Sequence, residues 1–243
     1  MMLVWAHRGA SAYAPENTLE AFALAAQMRA DGVELDVHIC KSGEVVVCHD
    51  ETIDRTSSGT GRICEMTLEE LRKYSFHNGM EQYEGAKIPT LKEVYELLAP
   101  TGLTVNVELK TDNIWYEGIE QQCVAIAEEC GMTDKVIYSS FNHRSLARLL
   151  EIKPDAYTGL LYGKPLEGVE DDAAYAVEHK ATAVHPYFKH CHREGYMQGM
   201  AEKGVLVNSW TVNEEEEMKA QLALGVNALI TNNPDIALKV AGR

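Results

Sequence analysis

Short apolar, β-branched runs alternate with stretches of helical spacing along the whole chain, the pattern of a parallel sheet assembled from strand-helix units. Nine runs read as strands: LVWA at 3–6, VELDVHI at 33–39, EVVVCH at 44–49, LTVNVEL at 103–109, KVIYSSF at 135–141, YTGLLY at 157–162, ATAVHP at 181–186, VLVNSW at 205–210 and NALIT at 227–231. Only Ser42 and Gly43 separate VHICK from EVVVC. A link that short makes an antiparallel hairpin and cannot make a parallel crossover. Setting the return strand aside leaves eight, the number in a closed (β/α)8 TIM barrel. The expected architecture is α/β: one barrel over residues 1–243, with the hairpin in its N-terminal half.

Capping patterns mark helix starts at Asn17 with Glu20, Thr67 with Glu70, Thr90 with Glu93 and Asn213 with Glu216, and Asn233 precedes a Pro suited to the first helical position. Most of these polar residues need no catalytic role. The four glutamates at 214–217 open one such helix, where negative charge complements the helix dipole. Residues 51–89 break the rhythm with RTSSGTGRI, a short helix over 67–74 and the polar stretch HNGMEQYEGAK. An excursion of that length between elements points to function. SSGTGR lacks the Gly-Lys-Ser/Thr of a Walker loop and reads as a glycine-bearing loop.

Strand alternation places Glu34, Asp36 and His38 on one face and Val33, Leu35 and Val37 on the other. In a barrel wrapped by helices the apolar set faces the helices, so the acids point inward. LTVNVELKT repeats the pattern, with Asn106, Glu108 and Lys110 inward near the C-terminal end of a strand, where barrel active sites are built. His7 and Arg8 follow the first strand and reach the same rim. With a turn at Ser42-Gly43, counting back sets His49 directly opposite Asp36, with Cβ atoms about 5 Å apart. Three converging carboxylates call for a cation, and an all-oxygen set favours Mg²⁺ or Ca²⁺ over zinc. Three acids, Arg8, Lys110 and one divalent ion leave a single net positive charge, the complement of a phosphodiester. His7 and His49 suit general acid and base work near neutral pH, Arg8 can hold a pair of phosphate oxygens, and Lys110 can add a point charge. His185 also reaches the rim, with a structural role or one near the substrate.

Composition narrows the partner. With 243 residues and 46% apolar content the chain can bury a sizeable core. A formal net charge of -15 and a pI near 5.0 argue against nucleic acid and anionic membrane, leaving a small molecule as the expected partner. The opening MMLVWA meets His7 and Arg8 after six residues, too short for a secretory core or a membrane span. Six cysteines without a C-x-x-C pair read as free, mostly buried thiols in a cytoplasmic protein. Oligomeric state is not legible.

Four segments, AHRGASAYAPENTLEAF, GVELDVHICKSGEVVVCHDETIDRTSSGTGRI, VNVELK and VLVNSWTVNEEEEM with GVNALITNNPD, resemble the glycerophosphodiester phosphodiesterase family across nearly the whole chain. The resemblance implies a (β/α)8 barrel that hydrolyses glycerophosphodiesters to sn-glycerol 3-phosphate and an alcohol with the help of a divalent metal. It implies Glu34, Asp36 and Glu108 as metal ligands, His7 and His49 as the acid/base pair, and Arg8 and Lys110 as phosphate holders. Trp210 is similar to the family aromatic that packs on the glycerol carbons, and residues 51–89 look like a small insertion covering the site. The family more usually carries Asp at the position of Asn232, which is expected here to cap the last turn. Two rival readings are a lysophospholipase D-like phosphodiesterase, which needs an apolar landing surface, and a non-catalytic metal- or phosphate-binding barrel, which does not need two titrating histidines.

Overall fold

All nine apolar runs form strands in the computed structural model, which describes residues 1–243. They are β1 Leu3–His7, β2 Gly32–Ile39, β3 Val45–Val47, β4 Thr104–Leu109, β5 Val136–Ser140, β6 Tyr157–Tyr162, β7 Ala183–Pro186, β8 Leu206–Ser209 and β9 Ala228–Thr231. The helices are α1 Leu19–Gln27, α2 Leu68–Leu71, α3 Leu91–Leu98, α4 Ile119–Glu129, α5 His143–Ile152, α6 Asp172–Glu178, α7 Tyr196–Glu202, α8 Glu215–Leu224 and α9 Pro234–Val240. Parallel pairing runs from β1 through β9, β8, β7, β6, β5 and β4 to β2, and β2 pairs back onto β1. This closes the eight-stranded (β/α)8 barrel. β1 covers only Gly32 to Glu34 of the longer β2, and beyond it β3 pairs antiparallel with Val37 to Ile39.

Parity along the strands settles the two faces. Val33, Leu35 and Val37 of β2 and Val105, Val107 and Leu109 of β4 pack with Phe22, Tyr95, Leu98 and Leu146 in one large apolar core between sheet and helices. A separate cluster joins Cys40, Val46 and Cys48 of the hairpin to Ile53, Ile63, Leu71, Phe76 and Ile88. Residues 51–89 thus carry a small core of their own, seated on the hairpin. Ile53, Ile63 and Ile88 have no exposed surface, and burying each such side chain contributes roughly 2 kcal/mol. All six cysteines are free thiols.

Four local expectations are corrected. The hairpin loop is Lys41-Ser42-Gly43: Gly43 N–H donates to the Cys40 carbonyl and Cys40 N–H to that of Glu44. Gly43 takes φ +100°, the left-handed conformation that ends a three-residue loop. The register is therefore His38 with Val46 and Val37 with Val47, which sets Cys48, and not His49, across from Asp36, whose carbonyl accepts from Cys48 N–H at 3.0 Å. The helix expected over 67–74 keeps only its first turn, α2, closed by a Thr67–Glu70 capping box. Thr90–Glu93 forms a second such box. At α1 the cap is Thr18, not Asn17, and at α8 the first residue outside the helix is Glu214, not Asn213. Both asparagines spend their side chains on tertiary contacts instead.

Candidate active site

Register brings the inward acids together at the C-terminal rim. β2 and β4 place Asp36 level with Glu108 and Glu34 level with Asn106, while β1 places His7 level with Glu34. One carboxylate oxygen from each of Glu34, Asp36 and Glu108 lies within 4.8 Å of the other two, and all three side chains are buried. Asp36 Oδ1 has no hydrogen-bond partner. Burial, then the charges of Asp36 and Glu108, pushes the Glu34 carboxyl well above the usual range. Burial also raises Glu108, against the pull of Lys110. At Asp36 burial is outweighed by the charges of Arg8 and Lys110, which hold it below the usual range. Three buried, mutually repelling oxygen donors, one with a free lone pair, form a set suited to a hard divalent cation.

Cationic side chains frame this cluster. Lys110 Nζ donates to Glu108 Oε1 at 2.8 Å and lies 3.9 Å from Asp36 Oδ1. Arg8 donates through Nη1 to Glu16 Oε1 at 2.8 Å, its Nε is 3.4 Å from Asp36 Oδ2, and its backbone N–H donates to Glu34 Oε2 at 3.1 Å. Arg8 has a left-handed φ of +55°, a conformation a non-glycine residue holds only when its surroundings impose it. Gly9 follows at φ +81°, where an added Cβ would lie 2.6 Å from the Ala21 backbone, so the chain turns against α1 only without a side chain there. Asn17, also left-handed, donates through Nδ2 to Asp36 Oδ2 at 2.9 Å.

The two histidines are held at Nδ1 by different partners. His7 Nδ1 donates to Asn232 Oδ1 at 2.7 Å, and His49 Nδ1 donates to Asp50 Oδ1 at 2.6 Å. Nε2 is left as the free ring nitrogen of each. Burial, then the nearby Arg8 charge, lowers His7 to about 4. At Asp50, burial is outweighed by the hydrogen bonds from Arg55 and His49, which lower its pKa to about 2. His49 is not opposed to Asp36 in the ladder, yet it reaches the same cavity because the chain bends back after Cys48. Its backbone carbonyl accepts from the buried His38 Nε2 at 3.2 Å, and His38 Nδ1 meets the Tyr116 hydroxyl at 3.0 Å.

The cavity encloses about 140 Å³ and has a mixed lining. Its polar residues include His7, Arg8, Glu34, His49, Asn106 and Glu108, and its apolar ones are Phe141, Leu161, Trp210 and Ile230. Trp210 follows β8, anchors its Nε1–H on the His185 carbonyl at 2.7 Å, and meets Phe141 edge to face at 5.6 Å. Lys110, bonded to Glu108 and 6.0 Å from the centre of the Phe141 ring, is not among the lining residues. His185 is fully buried inside the barrel, bonded through Nε2 to Asn208 at 2.9 Å and lowered to about 3 by burial, so its place is structural. Asn232 does not cap the last helix; it faces His7. Sequence reasoning read Asn17 as a helix cap and passed over Glu16, Asp50, Arg55 and Phe141 as site residues. Asp50 carried a signal as the neighbour of His49, and Glu16, Asn17 and Arg55 lie within the segments that carry the family resemblance.

A family model for the glycerophosphoryl diester phosphodiesterase family matches residues 7–236. A glycerophosphodiester phosphodiesterase of Caldanaerobacter subterraneus is 38% identical over 239 residues, covering 98% of this chain and 97% of that protein. Among solved structures, an Oleispira antarctica phosphodiesterase in complex with the product sn-glycerol-3-phosphate superposes with a TM-score of 0.84 at 26% identity, covering 99% of this chain and 97% of that one. One from Galdieria sulphuraria gives 0.88 at 28%, covering 100% and 98%. With a closed barrel, a buried acidic triad and two histidines at its rim, and a family match over nearly its whole length, the chain belongs to the glycerophosphoryl diester phosphodiesterase family.

Proposed function

We propose that the chain hydrolyses glycerophosphodiesters to sn-glycerol 3-phosphate and an alcohol, using His7 and His49 to move protons and one divalent cation held by Glu34, Asp36 and Glu108. The observation that carries this reading is the joint presence, in one cavity, of the His7 and His49 imidazoles and the Glu34 and Glu108 carboxylates, with Asp36 of the triad buried beside them. Arg8, which lines the cavity, holds the phosphate, and Lys110, paired with Glu108 outside the lining, adds a point charge. Phe141 and Trp210 receive the carbon side of glycerol, since their packed rings suit C–H groups while the polar lining takes the oxygens. When bound, Mg²⁺ or Ca²⁺ supplies Lewis acidity toward a phosphate oxygen and a neighbouring hydroxyl. An oxygen nucleophile attacks phosphorus, one Nε2 accepts its proton, the other ring donates a proton to the departing alkoxide, and the P–O bond to the alcohol breaks; water as nucleophile gives glycerol 3-phosphate directly, whereas the glycerol 2-hydroxyl gives a cyclic phosphate that a water then opens to the same product. Residues 51–89 cover the site within a single catalytic domain spanning 1–243.

The test is release of glycerol 3-phosphate from glycerophosphocholine and glycerophosphoethanolamine, in EDTA and after addition of Mg²⁺ or Ca²⁺. His49→Ala runs alongside and is expected to lose about 10²- to 10⁴-fold in kcat. Release that needs the cation and vanishes in the variant supports the reading. A folded protein that binds the cation but releases nothing from any glycerophosphodiester overturns it, and release from a lysophospholipid in its place would reassign the substrate.

A further inference from the structure

Arg55 lies outside the cavity and is 44% exposed, yet four of its hydrogen bonds converge on two carboxylates from different parts of the chain. Nε and Nη2 donate to Asp50 Oδ2 and Oδ1 at 2.7 and 3.2 Å, and Nη1 and Nη2 donate to Glu16 Oε2 and Oε1 at 2.7 and 2.9 Å. Each carboxylate has a second partner at the site. Asp50 Oδ1 accepts from His49 Nδ1, and Glu16 Oε1 accepts from Arg8 Nη1. One guanidinium thus closes a chain from His49 through Asp50 and Glu16 to Arg8. Without it, two carboxylates brought to the same place would repel and turn outward. The planar fork of an Arg can bridge both at once, whereas a Lys is a point charge.

We propose that Arg55 is a positioning residue, through which the segment 51–89 sets the orientation of His49 and Arg8 as well as lying over the site. The proposal rests on the acid/base role read for His49 above. The loop that carries Arg55 has its own anchors, with Ile53 and Thr56 buried on either side of it. Exposed ion pairs add little to stability. Removing the guanidinium should therefore leave the fold in place while loosening the two groups it orients.

The experiment compares Arg55→Ala and Arg55→Lys with the wild-type chain by steady-state kinetics on glycerophosphocholine, by thermal melting, and by long-range ¹H–¹⁵N spectra of the histidine rings. Both variants are expected to melt near the wild-type temperature and to lose about 10- to 100-fold in kcat, the scale of a misplaced catalytic group. KM should change less, and millimolar guanidinium should restore part of kcat in Arg55→Ala where sodium chloride of equal ionic strength does not. In the spectra His49 should pass from a fixed Nδ1–H form to a mixture. His7, held by Asn232, should not change and serves as the internal control. Unchanged kcat together with an unchanged His49 ring signal overturns the proposal and leaves a plain surface ion pair. If the wild-type chain hydrolyses no glycerophosphodiester, the functional reading fails separately, and the ring spectra still decide whether Arg55 fixes His49.

Discussion

At the scale of single residues the site is a balance of buried charges. Glu34 and Glu108 are raised and Asp36 is lowered, so the triad holds an electrostatic strain that a bound cation would relieve. Binding to the folded chain alone stabilises it by mass action, by about 2.7 kcal/mol at a hundredfold excess over Kd. Thermal melting of the wild-type chain should therefore rise with added Mg²⁺ or Ca²⁺. Glu34→Gln removes one of the three charges but keeps an oxygen for the Arg8 N–H. That variant should melt no lower than wild type in EDTA and should lose the cation-dependent rise. A full rise in the variant would remove Glu34 from the ligand set.

At the scale of elements the hairpin is decisive, since its loop determines where His49 emerges. Gly43 alone supplies the left-handed closing residue, and an added Cβ would meet nothing within 4 Å. The cost of Gly43→Ala is then backbone conformation only, about 1 kcal/mol. Gly43→Asn should cost less, because Asn tolerates that region. Urea denaturation of both variants checks the order, and equal losses would point to a different loop geometry. The Ser42 hydroxyl also accepts from Leu68 N–H at the start of α2, and Lys41 N–H donates to the Met66 carbonyl. The loop is thus a joint between the barrel and residues 51–89.

At the scale of the whole molecule, barrel closure also buries a titratable group outside the cavity lining. His185 sits inside with a pKa lowered to about 3. Its folded-state value lies below that of an unfolded His, so the unfolded chain takes up the proton first as the pH falls. Stability from this group is present above about pH 6.5 and is lost progressively below it, at a limiting rate on the order of 1 kcal/mol per pH unit. His185→Gln keeps a partner for Asn208 and does not titrate. The stability of wild type relative to this variant should therefore fall between pH 6.5 and 5, and a flat difference would place the proton elsewhere.

Local pattern in the sequence determined the strand count, the inward face of β2 and β4 and hence the carboxylate triad, because strand parity is a property of neighbouring residues and a helix-wrapped barrel reads parity directly. The two Thr–Glu capping boxes were legible for the same reason. What only the tertiary structure decided is how the site is held: Asn232 on His7, Asn17 on Asp36, and Arg55 across Asp50 and Glu16. His7 and Asn232 meet because β9 pairs with β1 and closes the ring. The hairpin register differed by one residue because loop length is set by the one position that accepts a positive φ. Such contacts depend on closure and side-chain direction, which no local periodicity encodes.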